Sequence, residues 1–289
     1  IVTVCRLSRT HCAITVLDNQ SGDESEACVA RKCPEVTFVR APENKVLCSY
    51  NAYAKEASEP FLFLLNNDIW LEPGSVDPLV EAMKRHPDAL FCAPQVVGHA
   101  SGEVEGARSM LGFRWGLPWG ASTSGGAADA AEAYSMQTGF GVFRREAFVE
   151  LGGYDELYLP GTVEDTDLCF RAYRSGRAGY YCPRSVVRHM GQASFKKAFR
   201  AGGIRRMNRR NLFLFVWKNI RSPRLWLEHI GCLPLQLVKY TLLGQWDFLG
   251  GFLDAMGRLP QALRSRQRSR HERSVRSDEN ILTFSRGWV

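Results

Sequence analysis

The stretch Phe61-Leu62-Phe63-Leu64-Leu65-Asn66-Asn67-Asp68 decides the fold. Five apolar residues run without interruption, as in a strand buried on both faces of a sheet. The run then stops at three polar residues. Ala13–Leu17 repeats the design, ending at Asp18-Asn19-Gln20-Ser21-Gly22-Asp23. Outward from these, Val36–Val39 and Ala89–Ala93 read as further strands. Glu24–Arg31, Tyr50–Ala57 and Pro73–Arg85 read as the helices between them. Strands alternating with helices predict an α/β domain with a largely parallel sheet. In such sheets ligands bind beyond the carboxyl ends of strands, where Asp18 and Asp68 stand.

Further on, residues 98–133 are rich in Gly, Ala and Ser, with Trp115, Pro118 and Trp119 among them. They predict a long irregular loop. Gln137–Phe143 reads as a strand and Arg145–Leu151 as a short helix closed by Gly152-Gly153. Thr162-Val163-Glu164-Asp165 has the form of a capping box. It would place Glu164 and Asp165 in the first turn of a helix that ends at Gly176. Gly179–Cys182 and Ser185–His189 read as two short strands.

The chain has 289 residues and ordinary globular proportions, with 45% hydrophobic and 23% charged residues. That excludes a disordered chain, a collagen and a disulfide miniprotein. Nine cysteines without a CxxC pair argue against a zinc module and suit free thiols in a reducing, cytoplasmic setting. The formal charge of +7 is unevenly spread. Residues 1–170 carry 13 Lys and Arg against 24 Asp and Glu; residues 171–289 carry 24 against 6. An organisation of 1–194 and a basic, amphipathic helical extension over 195–289 follows from this shift.

Asp18, Asp68, Glu164-Asp165 and His189 are the groups competent for chemistry. Each alone also fits a turn, a helix end or a hydrogen-bonded polar residue. Their order is more specific. Val16–Ser21, Phe63–Asp68, Thr138-Gly139-Phe140, Gly152–Glu156, Glu164–Arg171 and Val187–Ser194 together resemble the ordered motifs of family 2 glycosyltransferases, closest to a bacterial rhamnosyltransferase-like branch. The resemblance implies a GT-A fold, a Rossmann-like mixed sheet flanked by helices. The residues before Ala13 are too few for that family's first strand and following helix. The expectation is therefore a catalytic domain lacking its first strand.

The same resemblance implies site roles. Asp68 would hold Mg²⁺ or Mn²⁺, with His189 completing the sphere. Asp18, Asn44, Asn51 and Asn67 would contact a nucleotide-diphosphate-sugar donor. Gly139, Phe140 and Asp167 would face the acceptor, a glycan or lipid-linked hydroxyl. Asp165 is the expected base, with Glu164 its rival. One base suffices for an inverting displacement, with rhamnose the sugar the branch suggests. Two other readings stay open: a catalytically dead nucleotide-sugar-binding module of the same fold, and a nucleotidyltransferase.

The basic extension reads as an adaptor to an anionic membrane on the inner face of the plasma membrane, with Trp217, Leu225, Trp226, Leu227, Leu233, Leu235, Trp246, Phe248 and Phe252 as anchors. A solvated helical extension is the plain alternative. Nucleic acid is not expected, because no recognition motif accompanies the arginines and the front half is acidic.

Overall fold

The computed structural model describes residues 2–123, 132–136, 138–190, 200–269 and 274–284. Gln137, Gly191–Ser194 of the last motif and part of the arginine-rich run therefore lie outside the described residues, as does the expected boundary near 195. The elements in order begin with α1 (Val2–Leu7), β1 (Thr15–Asp18), α2 (Ser25–Lys32), β2 (Thr37–Arg40), α3 (Tyr50–Glu56), β3 (Phe61–Leu64) and β4 (Ile69–Leu71). Then come α4 (Val76–Arg85), β5 (Ala89–Gly98), β6 (Val104–Gly106), β7 (Ser109–Arg114), β8 (Leu117–Ser122), β9 (Ala133–Tyr134), β10 (Gly141–Arg144), α5 (Arg145–Glu150), α6 (Glu164–Arg174) and β11 (Ala178–His189). The chain closes with α7 (Ala201–Asn219), α8 (Pro223–Leu242), α9 (Trp246–Gly257), α10 (Leu259–Arg268) and α11 (Asp278–Phe284).

The main sheet runs β3-β10-β5-β11-β4, with β6 on β5 and β9 on β11. It is mixed. β5 and β11 pair in parallel, whereas β3–β10, β10–β5 and β11–β4 are antiparallel. β1 and β2 form a separate parallel pair. The largely parallel sheet expected from the strand–helix alternation is thus corrected. Alternation around β1–β5 says nothing about how later strands insert, and β10 enters antiparallel between β3 and β5.

Two other expectations change. Residues 98–123 hold three strands instead of an irregular loop, and 124–131 lie outside the described residues. β7 and β8 join through Trp115-Gly116, both left-handed at φ 56° and 75°. A two-residue turn with both residues at positive φ matches strand twist and normally carries Asn-Gly. Tryptophan there conceals the hairpin from sequence reading. Likewise, Gly179–Cys182 and Ser185–His189 are one strand, β11, with an irregularity between Cys182 and Val186.

The core does not divide at the change in charge. Phe170 and Tyr173 of α6 share one buried cluster with Phe213, Leu214, Phe215 and Val216 of α7 and Phe248 of α9. Many basic side chains of the C-terminal half point inward, at backbone carbonyls. Arg266 donates to the Trp217 and Ile220 carbonyls at the end of α7 (3.0 and 2.6 Å). Arg276 donates to the Tyr173 carbonyl in the last turn of α6 and to the Arg177 carbonyl just beyond it (3.2 and 2.9 Å). Helix C-termini expose unpaired carbonyls and negative dipole ends, so cations stabilise them.

Candidate functional site

Strand register builds the first half of the site. β11 runs antiparallel to β4 with His189 opposite Ile69, and parallel to β5 with His189 opposite Gly98. The Met190 N–H donates to the Asp68 carbonyl at 2.8 Å. Asp68 and His189 are therefore brought together: His189 Nε2 lies 3.4 Å from Asp68 Oδ2. The β5–β6 hairpin then returns Glu105 to the same place, with Oε2 3.0 Å from His189 Nδ1. A Cβ on Gly98 would stand 2.5 Å from Glu105 Oε1, so glycine is needed for that carboxylate to lie there.

Glu105 was missed because it sits in the stretch read as an irregular loop. An acidic residue twelve positions after the end of the expected strand Ala89–Ala93 carries no signal until the hairpin is known.

A divalent cation fits this end of the sheet. Asp68 Oδ1 is buried and has no hydrogen-bond partner among the described residues. One carboxylate and one imidazole form a donor set suited to Mn²⁺. Glu105 gives the histidine the carboxylate partner that metal-binding histidines usually have. Among the described residues no group of three or more His, Cys, Asp or Glu is arranged to hold a metal. Asp68 and His189 would therefore hold the ion as two protein ligands, leaving positions for donor phosphates. Asn67 beside them is exposed.

The second half is the start of α6. The capping box does not form: the residue before the helix is Val163, which makes no side-chain cap. Thr162 and Val163 are both left-handed, at φ 66° and 72°. Two successive β-branched residues there are strained, and such strain persists only when the surroundings enforce it. Asn211 of α7 enforces it, donating to the carbonyls of Tyr158, Gly161 and Thr162 at 2.9, 2.6 and 2.8 Å.

Asp165 is partly exposed and divides its oxygens. Oδ1 accepts from the Thr166 backbone N–H at 2.7 Å. Oδ2 faces Gly139, whose Cβ would stand 3.7 Å away. Burial raises its pKa, and the Thr166 hydrogen bonds oppose that rise. Glu164 is buried, with Oε2 lacking a partner among the described residues. Burial, then the Asp165 charge, pushes it up to about 8. At neutral pH Glu164 is thus protonated.

That shift predicts a pH dependence of stability. The unfolded carboxyl ionises near 4.5 and the folded one near 8, so between these values the folded state holds the extra proton. Stability then falls as pH rises through that window. Glu164→Gln cannot ionise and should flatten the decline. Thermal melts of both proteins from pH 4 to 9 check it, and parallel curves would refute it.

Asp167 is not on the acceptor side. It is fully buried, with Arg171 Nε at 2.8 Å and Lys218 Nζ at 2.7 Å. It also accepts from Tyr158 Oη (2.8 Å) and Asn219 Nδ2 (2.7 Å). The adjacent cations hold its pKa far below the usual carboxylate range. A helix periodicity of 3.6 turns it away from the face of Asp165.

Phe140 packs against the cluster of Ile69, Leu71 and Val187 beneath Asp68, so the segment carrying Gly139 touches both halves.

Among the residues expected to contact a donor, Asp18 is buried, accepts from the Ser21 N–H at 3.1 Å and pairs with Arg40 at 3.3 Å. Asn44 accepts from the Val46 N–H at 3.0 Å across a left-handed Val46. Asn19 Nδ2 donates to the Val46 carbonyl at 3.2 Å, which ties the β1 end to this turn. Asn51 has another task. Its amide bonds the Tyr154 carbonyl and N–H at 2.7 and 2.9 Å, bracing the Gly152-Gly153 turn.

Known proteins resemble this chain in sequence and in fold. Two curated relatives, N-acetylglucosaminyl-diphospho-decaprenol L-rhamnosyltransferases from Mycobacterium tuberculosis strains CDC 1551 / Oshkosh and ATCC 25618 / H37Rv, are each 26% identical over 206 residues, covering 61% of this chain. The chain spans 66% of their length, just under two thirds. The crystal structure of GalNAc-T7 with UDP, GalNAc and Mn²⁺ superposes with a TM-score of 0.55 at 16% identity, over 73% of this chain and 43% of that one. That likeness is one of fold, the GT-A arrangement. A model of Glycosyl transferase family 2 matches residues 1–152, more than half the chain, and the protein belongs to that family.

Proposed function

We propose that the protein is an inverting, metal-dependent glycosyltransferase that moves a sugar, with L-rhamnose favoured by its relatives, from a nucleotide-diphosphate donor to the hydroxyl of a lipid-linked or glycan acceptor. The observation that carries the reading is Asp165, with one oxygen fixed by Thr166 and the other turned toward Gly139. An acceptor hydroxyl beside Oδ2 loses its proton to Asp165 as its oxygen bonds the anomeric carbon. The bond from that carbon to the phosphate oxygen breaks, and the electron pair leaves with the nucleoside diphosphate. One displacement inverts the anomeric centre, and no covalent sugar intermediate forms. The Thr166 N–H stabilises charge on Asp165, whereas Glu164 Oε2 has no such donor among the described residues, so the pair's charge is favoured on Asp165. Asp68 and His189 would hold a divalent cation, which would supply neutralisation of the charge that gathers on the departing diphosphate. Asp18, Asn44 and Asn67, at or beyond strand ends, would contact the donor nucleoside and phosphates.

The test is incubation with a panel of nucleotide-diphosphate sugars, an L-rhamnose donor included, and a polyprenyl-diphospho-N-acetylglucosamine acceptor. The expected products are the extended lipid and free nucleoside diphosphate. Donor binding without transfer would make the chain a nucleotide-sugar-binding module. Release of pyrophosphate would make it a nucleotidyltransferase.

Glu105 gives a separate check. Glu105→Gln removes the charged partner of His189 Nδ1 and should weaken Mn²⁺ binding about 10–100-fold in the presence of nucleoside diphosphate. Electron paramagnetic resonance of free Mn²⁺ reads this directly. Unchanged affinity would leave Glu105 with no part in the site.

A further inference from the structure

Helix α8 carries more exposed large apolar side chains than any other helix among the described residues. Leu227, Ile230, Gly231, Pro234, Leu235, Val238 and Leu242 are all exposed and recur at three- and four-residue spacing along one face. Leu227, Leu235 and Leu242 are 73%, 69% and 82% exposed. A helix of a globular protein normally turns such a stripe inward. Here the opposite face does so, through Leu225 and His229. Trp217, Leu225 and Phe248, which the sequence suggested as surface anchors, are buried core residues. No helix among the described residues is long and apolar enough to cross a membrane.

Two features show what this face is suited to meet. The first is the tip of the β7–β8 hairpin. His229 bonds the Gly116 carbonyl at 2.7 Å, Glu228 accepts from the Gly116 N–H at 3.0 Å, and Gln236 donates to the Trp115 carbonyl. The tip is therefore fastened to α8, yet Trp115 itself is 61% exposed. It occupies a left-handed position that suits Asn or Gly, so a bulky apolar side chain is held in the open at a conformational cost. Trp246, at the start of α9, is 63% exposed. Exposed tryptophans beside an aliphatic stripe are the composition of an interfacial helix.

The second feature is charge. Arg224 and Lys239 are the exposed charges of α8, and spacing puts both beside the stripe. Its single acid, Glu228, is turned to the hairpin. On α9, Asp247 and Asp254 are paired with Arg205 and Arg206 at 3.1 and 2.6 Å. Cations border the face and the nearby acids are engaged by partners.

We infer that the exposed face of α8, with Trp115 and Trp246, docks on an anionic lipid bilayer surface. Leu227, Leu235, Val238 and Leu242 enter the acyl boundary, the tryptophans sit at headgroup level, and Arg224 and Lys239 meet lipid phosphates. The inference deepens the proposed function, since a lipid-linked acceptor would be met at that surface. Its test needs neither donor nor acceptor.

The full chain is sedimented with phosphatidylglycerol/phosphatidylcholine vesicles and with phosphatidylcholine vesicles alone. Wild type should pellet with the anionic vesicles, with a blue shift of tryptophan emission. Leu235→Glu/Val238→Glu should partition at least about tenfold more weakly, and Trp115→Ala several-fold more weakly. Both changes are at exposed positions, and circular dichroism verifies that the fold is kept. Asp165→Asn should bind like wild type whatever becomes of sugar transfer, so failure of the catalytic reading leaves this result legible. Absence of vesicle binding would overturn the inference, as would equal binding by the variants. A lipid-free dimer that Leu235→Glu/Val238→Glu converts to monomer, without vesicle binding, would assign the face to a second copy of the chain instead.

Discussion

Asp165→Asn is expected to lower kcat by about 10²–10⁴-fold while leaving nucleotide-sugar binding nearly unchanged. The amide keeps the shape of the carboxylate and can retain the Thr166 hydrogen bond at Oδ1. It cannot accept a proton at the position facing Gly139. The loss should therefore fall on kcat and spare the donor affinity measured by calorimetry. The neighbouring acid supplies the control. Glu164→Gln imitates the protonated form that Glu164 already has at neutral pH, so it should keep most of the activity there. The two variants separate the carboxylates that sequence alone left as rivals. Equal loss in both would mean that the pair acts as one proton-sharing unit, and loss only in Glu164→Gln would move the base to Glu164.

The contrast between these adjacent acids lies beyond sequence reading for a physical reason. The ordered motifs locate both at the start of a helix, and both are there. Their difference is a matter of environment: one is buried with an orphan oxygen, and the other has a backbone donor and an open oxygen. The strands around Asp18 and Asp68 were legible because continuous apolar runs ending in polar clusters have few other solutions. The β7–β8 hairpin was not, because its turn carries Trp-Gly and its strands contain glycine and proline. Glu105 was hidden with it. Asp167 shows the opposite failure. It lies in the motif that carries the proposed base, and proximity in sequence suggested a shared face. Two positions along a helix is a rotation of about 200°, which sends it into the core.

Lys218→Met should destabilise the fold by about 3–5 kcal/mol, the cost of leaving one partner of a buried ion pair uncompensated. Lys218 is buried and binds two carboxylates, Asp167 at 2.7 Å and Asp155 at 2.8 Å. Its removal leaves Asp167 with Arg171 and leaves Asp155 with Ser265 as a hydrogen-bond partner. Denaturant unfolding at neutral pH reads the loss. Asp155→Asn in the same background should recover part of it, because Asp155 is the carboxylate left without a cation, and a double-mutant cycle isolates the coupling. Additive losses would show that the pair is not coupled. The pH dependence has a defined sign. Asp167 is held far below its ordinary range, so its stabilisation is present above the unfolded value of 3.8 and fades only as pH falls toward the folded one. The anchor should therefore survive mild acid in wild type. The same variant should also reduce kcat in the protein that remains folded. Lys218 and Asn219 hold Asp167 at the second turn's edge of α6, and Asn211 holds the strained Thr162-Val163 turn that launches it. All three come from α7, which lies in the half of the sequence that charge alone sets apart. The basic half thus supplies the buttress of the acidic half's proposed base, and disturbing it should misplace Asp165 without touching it.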